Sequence, residues 1–216
     1  MTAVRSVINS VLVADGSSDR LLVGLIDKLM DVHCPPHLSW RSTDFVDAYP
    51  DDCRRLAERM RYALEQFPSE LVFVHRDAEK PGALPQREAE LADALQALHQ
   101  VPATVLVVPV RMTETWLLTD ASAIRCAAGN PNGQTELNLP PRKKLESVDA
   151  KKELFTALTL AAEKNKRRRA KLKPDALRHR VVDFIDDLSG LRTLPSFNHF
   201  ETQLKQYFSG PSFANL

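Results

Sequence analysis

The run NSVLVADGSSDR, Asn9 to Arg20, decides the fold. Val11, Leu12 and Val13 form a short β-branched-rich segment of the kind that fills a strand buried on both faces of a parallel sheet. It ends abruptly at Asp15, Gly16 and two serines. In an open α/β sheet, ligands meet the carboxyl ends of the strands, so Asp15 is expected at a ligand-facing turn, with Gly16 supplying backbone freedom there. Ser17 or Ser18 is expected to cap a helix with Asp19 in its first turn, and Leu21, Leu22, Leu25, Ile26, Leu29 and Met30 form its inward stripe.

Working outward, the alternation repeats. A strand is expected within Leu38–Phe45, between Pro35-Pro36 and Pro50. Asp51 and Asp52 then open a helix carrying Leu56, Met60, Leu64 and Phe67 inward, which stops before Pro68. Leu71–Val74 is a second β-branched run, and it too ends in polar chemistry, His75-Arg76-Asp77-Ala78-Glu79. Pro85–Gln100 reads as an amphipathic helix and Ala103–Val110 as a further strand. This order predicts an α/β fold with a mainly parallel four-stranded sheet, right-handed crossovers and flanking helices.

Past that strand, RMTETWLLTD (Arg111–Asp120) puts Glu114 near the same sheet edge and anchors a helix through Trp116, Leu117 and Leu118. Ala128–Pro141, dense in Gly, Asn and Pro, reads as a surface loop and a boundary. The remainder reads as helical: one helix from Ala150 to about Lys164, another around Val181–Leu188, and a last one over Ser196–Phe208. The expected organisation is an α/β domain over 1–128 and a loop with a helical carboxyl-terminal extension over 129–216, packing on it.

The 216 residues carry 44% apolar side chains and a formal net charge of +1, so total charge selects no partner class. No run approaches the ~20 apolar residues of a membrane span and no leader-like segment opens the chain, so a cytoplasmic protein without membrane association is expected. Cys34, Cys53 and Cys126 are odd in number and lack a C-x-x-C pair, which reads as free thiols. Glycine-rich phosphate loops and a G-x-S-x-G nucleophile elbow are both absent from the sequence. His33-Cys34-Pro35-Pro36-His37 reads as a loop, since no second ligand pair accompanies it.

Asp15, Asp77 and Glu79, carried by the ends of two strands, suit a hard divalent cation, because magnesium is typically held by one or two carboxylates plus phosphate oxygens. Such an ion orients water and stabilises charge on a phosphate. A separate signal is basic. Lys164–Lys173, KNKRRRAKLK, holds seven basic residues in ten, with Lys143, Lys144, Lys151 and Lys152 upstream. Lys164, Lys166, Arg167, Arg168, Arg169, Lys171 and Lys173 together with those four lysines are the expected nucleic-acid contacts, since neutralising phosphates releases counterions.

The runs VLVADGSSD, LVFVHRDAE and VVPVRMTETWLLTD, in this order, resemble the Toprim-like fold family, in the branch related to bacterial phage-defence proteins and overcoming-lysogenization-defect nucleases. The resemblance covers about the first 120 residues. In that family a Glu-Gly after the first strand and an Asp-x-Asp after a later one bind magnesium or manganese for phosphodiester chemistry. By position, Asp15-Gly16 takes the first place and His75-Arg76-Asp77 the second, so Asp15 and His75 each stand where the family has another acid or a longer one. Glu114, Trp116, Leu117, Leu118 and Asp120 match the branch's Glu-x-Trp-Leu-Leu-x-Asp, and Leu194-Pro195-Ser196-Phe197 with Phe200 its closing segment. What the resemblance implies is a Mg- or Mn-dependent endonuclease acting on DNA or RNA in anti-phage defence, beside an ATPase partner. Asp15 would be ligand or general base, Asp77 the principal ligand, and Asp19, His75, Glu79 and Glu114 supporting groups, with Asp15, Asp77 and Glu114 the catalytic candidates. The rival expectation is a catalytically degenerate Toprim-like module that docks on an ATPase or on nucleic acid; a third is a phosphoryl-transfer enzyme for a small phosphate compound.

Overall fold

The computed structural model describes residues 7–80, 82–100, 102–163, 166–170 and 172–210. Its order is β1 (Val7–Ile8), β2 (Ser10–Val13), α1 (Leu21–His33), β3 (Ser39–Trp40), β4 (Asp44–Phe45), α2 (Leu56–Gln66), β5 (Leu71–His75), α3 (Leu84–Gln96) and β6 (Ala103–Val107). It continues with α4 (Glu114–Leu117), α5 (Ala121–Ala127), α6 (Ala150–Ala161), α7 (Lys166–Ala170), α8 (Pro174–Asp183) and α9 (Pro195–Phe208). The expected α/β class and four-stranded parallel sheet are present: the strand order is β4-β2-β5-β6, every neighbouring pair parallel, with Val13 opposite Val74 and Val74 opposite Leu106. No helix among the described residues is long and apolar enough to cross a membrane.

The chain divides into two units. The first comprises the described residues of Met1–Arg76, Leu84–Val108 and His199–Leu216, the second those of Asp77–Ala83 and Pro109–Asn198. The boundary expected after residue 128 falls inside the second unit, and the later part of α9 belongs to the first rather than to a carboxyl-terminal extension.

In the first unit, β2 and β5 are buried along their whole length. Burying a strand on both faces removes its side chains from water at roughly 25 cal/mol per Å² of apolar surface, which is why Val and Leu occupy these positions. Ser10 is the polar exception in β2; its hydroxyl lies 2.9 Å from that of Thr43, so the buried oxygen has a partner. The inward stripe of α1 is as expected, all six residues buried. Phe73 of β5 meets Phe200 of α9 edge to face at 6.1 Å between ring centres. At the margin of the sheet the Leu106 amide donates to Gln203 Oε1 of α9 at 2.9 Å.

Several local expectations are corrected. The single strand within Leu38–Phe45 is two short ones in different sheets, β3 on β1 and β4 on β2. Gly16 has φ −161° and ψ 168°, extended backbone open to any residue, and a β-carbon there would meet nothing within 4 Å. Neither Ser17 nor Ser18 caps α1; a 3-10 turn, Ser17–Arg20, precedes it, and Asp19 Oδ2 accepts the Gly16 amide at 3.3 Å. The α2 helix starts at Leu56 rather than at Asp51-Asp52, because Glu58 reaches back and its Oε2 accepts the Arg54 and Arg55 amides at 2.9 and 2.8 Å.

In the second unit, each distinctive residue of the Glu114-x-Trp-Leu-Leu-x-Asp segment has a packing, capping or ion-pairing partner. Trp116 is fully buried, donates Nε1–H to Ser196 Oγ at 2.9 Å, and stacks edge to face with Phe197 at 5.2 Å. Leu117 and Leu118 are buried beside it, and Asp120 caps α5 by accepting the Ala123 amide at 2.9 Å. Glu114, at the start of α4, accepts from Arg178 of α8 at 2.9 Å. The stretch from Ala128 to Pro141 is a loop, as its composition predicts, held by Asn130 Nδ2 donating to the Ala161 carbonyl at 2.8 Å and by Glu163 Oε1 accepting the Gln134 amide at 3.0 Å.

Candidate functional site

The carboxyl ends of β2 and β5 lie side by side, so residues two places beyond Val13 and Val74 come together. Those residues are Asp15 and Arg76. Arg76 Nη1 donates to Asp15 Oδ1, and Arg59, from the second turn of α2, donates Nη1 to the same oxygen at 2.5 Å. Arg76 Nη2 donates to Glu90 Oε1 of α3, whose other oxygen accepts from Arg87 at 3.1 Å. The sheet edge therefore carries an alternating chain of guanidinium and carboxylate groups. Partial burial works to raise the Asp15 pKa, but the adjoining Arg76 and Arg59 charges outweigh it and hold the carboxyl below its ordinary 3.8. Burial likewise opposes the charge on Arg76, and Asp15 and Glu90 outweigh it, so the guanidinium stays charged.

His75 closes β5. Its Nδ1 lies 3.0 Å from the Val107 carbonyl and donates to it; Nε2 lies 3.8 Å from Asp19 Oδ1. Burial of the ring lowers the His75 pKa below 6.5, and the opposing Asp19 charge does not restore it, so the imidazole is neutral at pH 7. A group whose folded pKa lies below its unfolded value lends stability that is complete above the unfolded value and is lost as pH falls towards the folded one. Stability is thus expected to drop as pH is lowered through about 6.5, and urea midpoints measured between pH 8 and 5 should fall less steeply for His75→Asn, which keeps a donor for the Val107 carbonyl.

Of the expected metal residues, Asp15, Asp19 and His75 lie in the first unit, and Asp77 and Glu79 in the second. Asp77 is half-buried; Glu79 is exposed, with a left-handed φ of 58°. Within the first unit, Asp15, Asp19 and His75 do not by themselves make a seat for a resident magnesium or manganese ion. Asp15 Oδ1 already takes two guanidinium groups, and among the described residues no group of three or more His, Cys, Asp or Glu stands close enough to hold a metal. As a general base Asp15 is also poorly matched, because a carboxyl held below 3.8 has little affinity for a proton near neutral pH. Glu114, the third catalytic candidate, is 5% exposed and ion-paired with Arg178.

Of the basic candidates, Lys143, Lys144, Lys151, Lys152, Lys166, Arg167, Arg169 and Lys173 are all exposed in the second unit. Lys151 lies 3.6 Å from Asp175 and over the Phe155 ring at 5.7 Å, and Arg169 Nε donates to the Glu163 carbonyl at 2.6 Å. Lys164, Lys171 and the side chain of Arg168 lie outside the described residues. The sequence of the second unit holds 18 Lys and Arg against 13 Asp and Glu, a net +5, and the first unit 11 against 15, a net −4.

Sequence reasoning missed Arg59, Arg76 and Glu90 as members of the strand-end site. Arg76 was legible: it occupies in LVFVHR the place that Asp15 occupies in VLVAD, two residues beyond a buried valine. Arg59 and Glu90 carry no such signal, because their approach depends on how α2 and α3 pack. No protein-family model, curated protein or solved structure matches the chain.

Proposed function

We propose that the chain is a Toprim-like module that binds nucleic acid through the basic surface of its second unit and does not itself cut it. The observation that carries this reading is the segregation of charge: twelve exposed Lys and Arg residues among those described, the eight candidates included, in a unit of net +5, within a chain of net +1. Such a surface supplies sequence-independent affinity by releasing counterions from the phosphate backbone. The arginine-saturated carboxylate at the end of β2 supports the non-cutting half, since Asp15 already serves as the counter-charge for Arg59 and Arg76. On the Toprim resemblance, the module would deliver nucleic acid to an ATPase partner in defence against phage.

Fluorescence anisotropy with a labelled duplex and a labelled RNA, from 50 to 300 mM salt, tests this. The logarithm of affinity should fall linearly with the logarithm of salt, by roughly 0.9 per phosphate contacted on duplex DNA. Replacing Lys151, Lys152, Lys166 and Arg167 with alanine should flatten that slope by two or more contacts' worth. No retention at 50 mM salt, or a slope indifferent to the four substitutions, overturns the binding reading. Manganese-stimulated cleavage of plasmid or RNA that disappears in Asp77→Asn overturns the non-cutting reading in favour of a nuclease.

A further inference from the structure

A cleft of mixed lining lies wholly within the first unit, between the start of α2 and α3. Its volume is about 400 Å³, inside the range of roughly 300–1,000 Å³ typical of small-ligand sites. Arg54, Arg55 and Arg76 line one part of it. Arg76 already gives Nη1 to Asp15 and Nη2 to Glu90, and its Nε is buried with no hydrogen-bond partner among the described residues. Arg76 therefore contributes its fixed positive charge to the lining, and the hydrogen-bond donors open to a ligand are those of Arg54 and Arg55. Arg55 is exposed and has no ion-pair partner among the described residues, and Arg54 gives only Nε, to the Asp51 carbonyl at 3.1 Å. The amino end of α2 adds nothing itself, because Glu58 already accepts the Arg54 and Arg55 amides.

The rest of the lining differs in chemistry. Ala57 of α2, Ala94 of α3 and Ala97 just past the end of α3 present small apolar side chains, a wall against which a planar ring can lie. Asp93 stands on the same lining, one turn beyond Glu90, and its carboxylate accepts hydrogen bonds but donates none. Glu90 is committed to Arg76 and Arg87. The three parts match three parts of one ligand. Guanidinium groups take a phosphate in the forked geometry that Arg favours over Lys, the alanine wall takes a base, and Asp93 takes an exocyclic amino group.

From this arrangement we propose that the α2–α3 cleft binds a nucleotide through its terminal phosphate and an amino-bearing base, as a free nucleoside monophosphate or as the 5′-phosphorylated end of a strand. The site is separate from the lysine surface of the second unit and does not depend on the function proposed for it.

Isothermal titration of the full chain with AMP, GMP, CMP, UMP and inorganic phosphate tests the proposal. At least one amino-bearing monophosphate should bind saturably, about tenfold or more tighter than UMP and than inorganic phosphate. The double substitution Arg54→Ala with Arg55→Ala should weaken it roughly 10–100-fold, as expected for losing charge-assisted hydrogen bonds, while leaving the unliganded melting temperature unchanged because both side chains are exposed. Asp93→Asn should narrow the gap between the amino-bearing nucleotides and UMP. Lys151→Ala with Lys152→Ala should leave nucleotide affinity intact, which keeps this test distinct from that of the basic surface. Paired 5′-phosphorylated and 5′-hydroxyl dodecanucleotides separate the two sources: a preference for the phosphorylated strand assigns the cleft to strand ends, and saturation by free nucleotides alone assigns it to those. Absence of saturable binding by every monophosphate, equal affinity in the Arg54/Arg55 variant, or inorganic phosphate binding as tightly as the nucleotides would each overturn the proposal.

Discussion

Arg178→Met is expected to lower the stability of the chain by about 3–5 kcal/mol, because it strands a buried carboxylate. Glu114 is 5% exposed, and Arg178 donates to it at 2.9 Å. Removing the guanidinium leaves the buried Glu114 carboxylate without its counter-charge and hydrogen-bond donor, which is unfavourable. The paired change Glu114→Leu with Arg178→Met should recover most of the loss, since apolar groups of similar volume often replace a buried ion pair at little net cost. Urea unfolding of the two single variants and the double variant measures the coupling directly. The outcome also decides what Glu114 is for. If the double variant regains stability and still binds nucleic acid with the parent salt dependence, the glutamate is a structural partner; if nucleic-acid binding collapses while stability returns, Glu114 belongs to the functional surface.

Trp116→Ala should have an effect of comparable size, about 3–5 kcal/mol. The indole is fully buried, makes an edge-to-face contact with Phe197 at 5.2 Å, and donates Nε1–H to Ser196. Truncation removes that burial, leaves a cavity, and deprives the Ser196 hydroxyl of its donor. Trp116→Phe keeps most of the volume and the aromatic contact but not the N–H, so it should recover the larger part of the loss. The difference between the two substitutions, read from urea midpoints, separates the packing contribution from the hydrogen bond.

The parts of the fold legible in the sequence are those fixed by local pattern. The buried strands announce themselves as Val11–Val13 and Leu71–Val74, and the apolar stripe of α1 is correct residue by residue. The loop over Ala128–Pro141 follows from its Gly, Asn and Pro content. What depended on distant partners was not legible. Leu38–Phe45 splits in two because β3 and β4 pair with different strands, a choice made by the sheets and not by the segment. The start of α2 moved because Glu58 outcompetes Asp51 and Asp52 for the exposed amides. At the strand ends, Asp15 was found where sequence reasoning put it, but its partners were two arginines: residue spacing reveals which side chains reach a sheet edge and not which of them neutralise one another. The Glu114-to-Asp120 pattern shows the same limit from the other side. Each of its distinctive residues has a packing, capping or ion-pairing partner, and which residues supply those partners is set by the packing of the second unit and not by the pattern itself.

The hydrogen bond from the Leu106 amide to Gln203 has a consequence for self-association. β6 is the outermost strand on its side of the sheet, and an unguarded outer strand offers its backbone to any passing extended chain, including another copy of the same protein. By occupying an outward amide with a side-chain oxygen from α9, the chain removes one rung from the ladder that such an intruder would climb. One guarded amide makes β6 a poorer template for a second extended chain without sealing the whole strand.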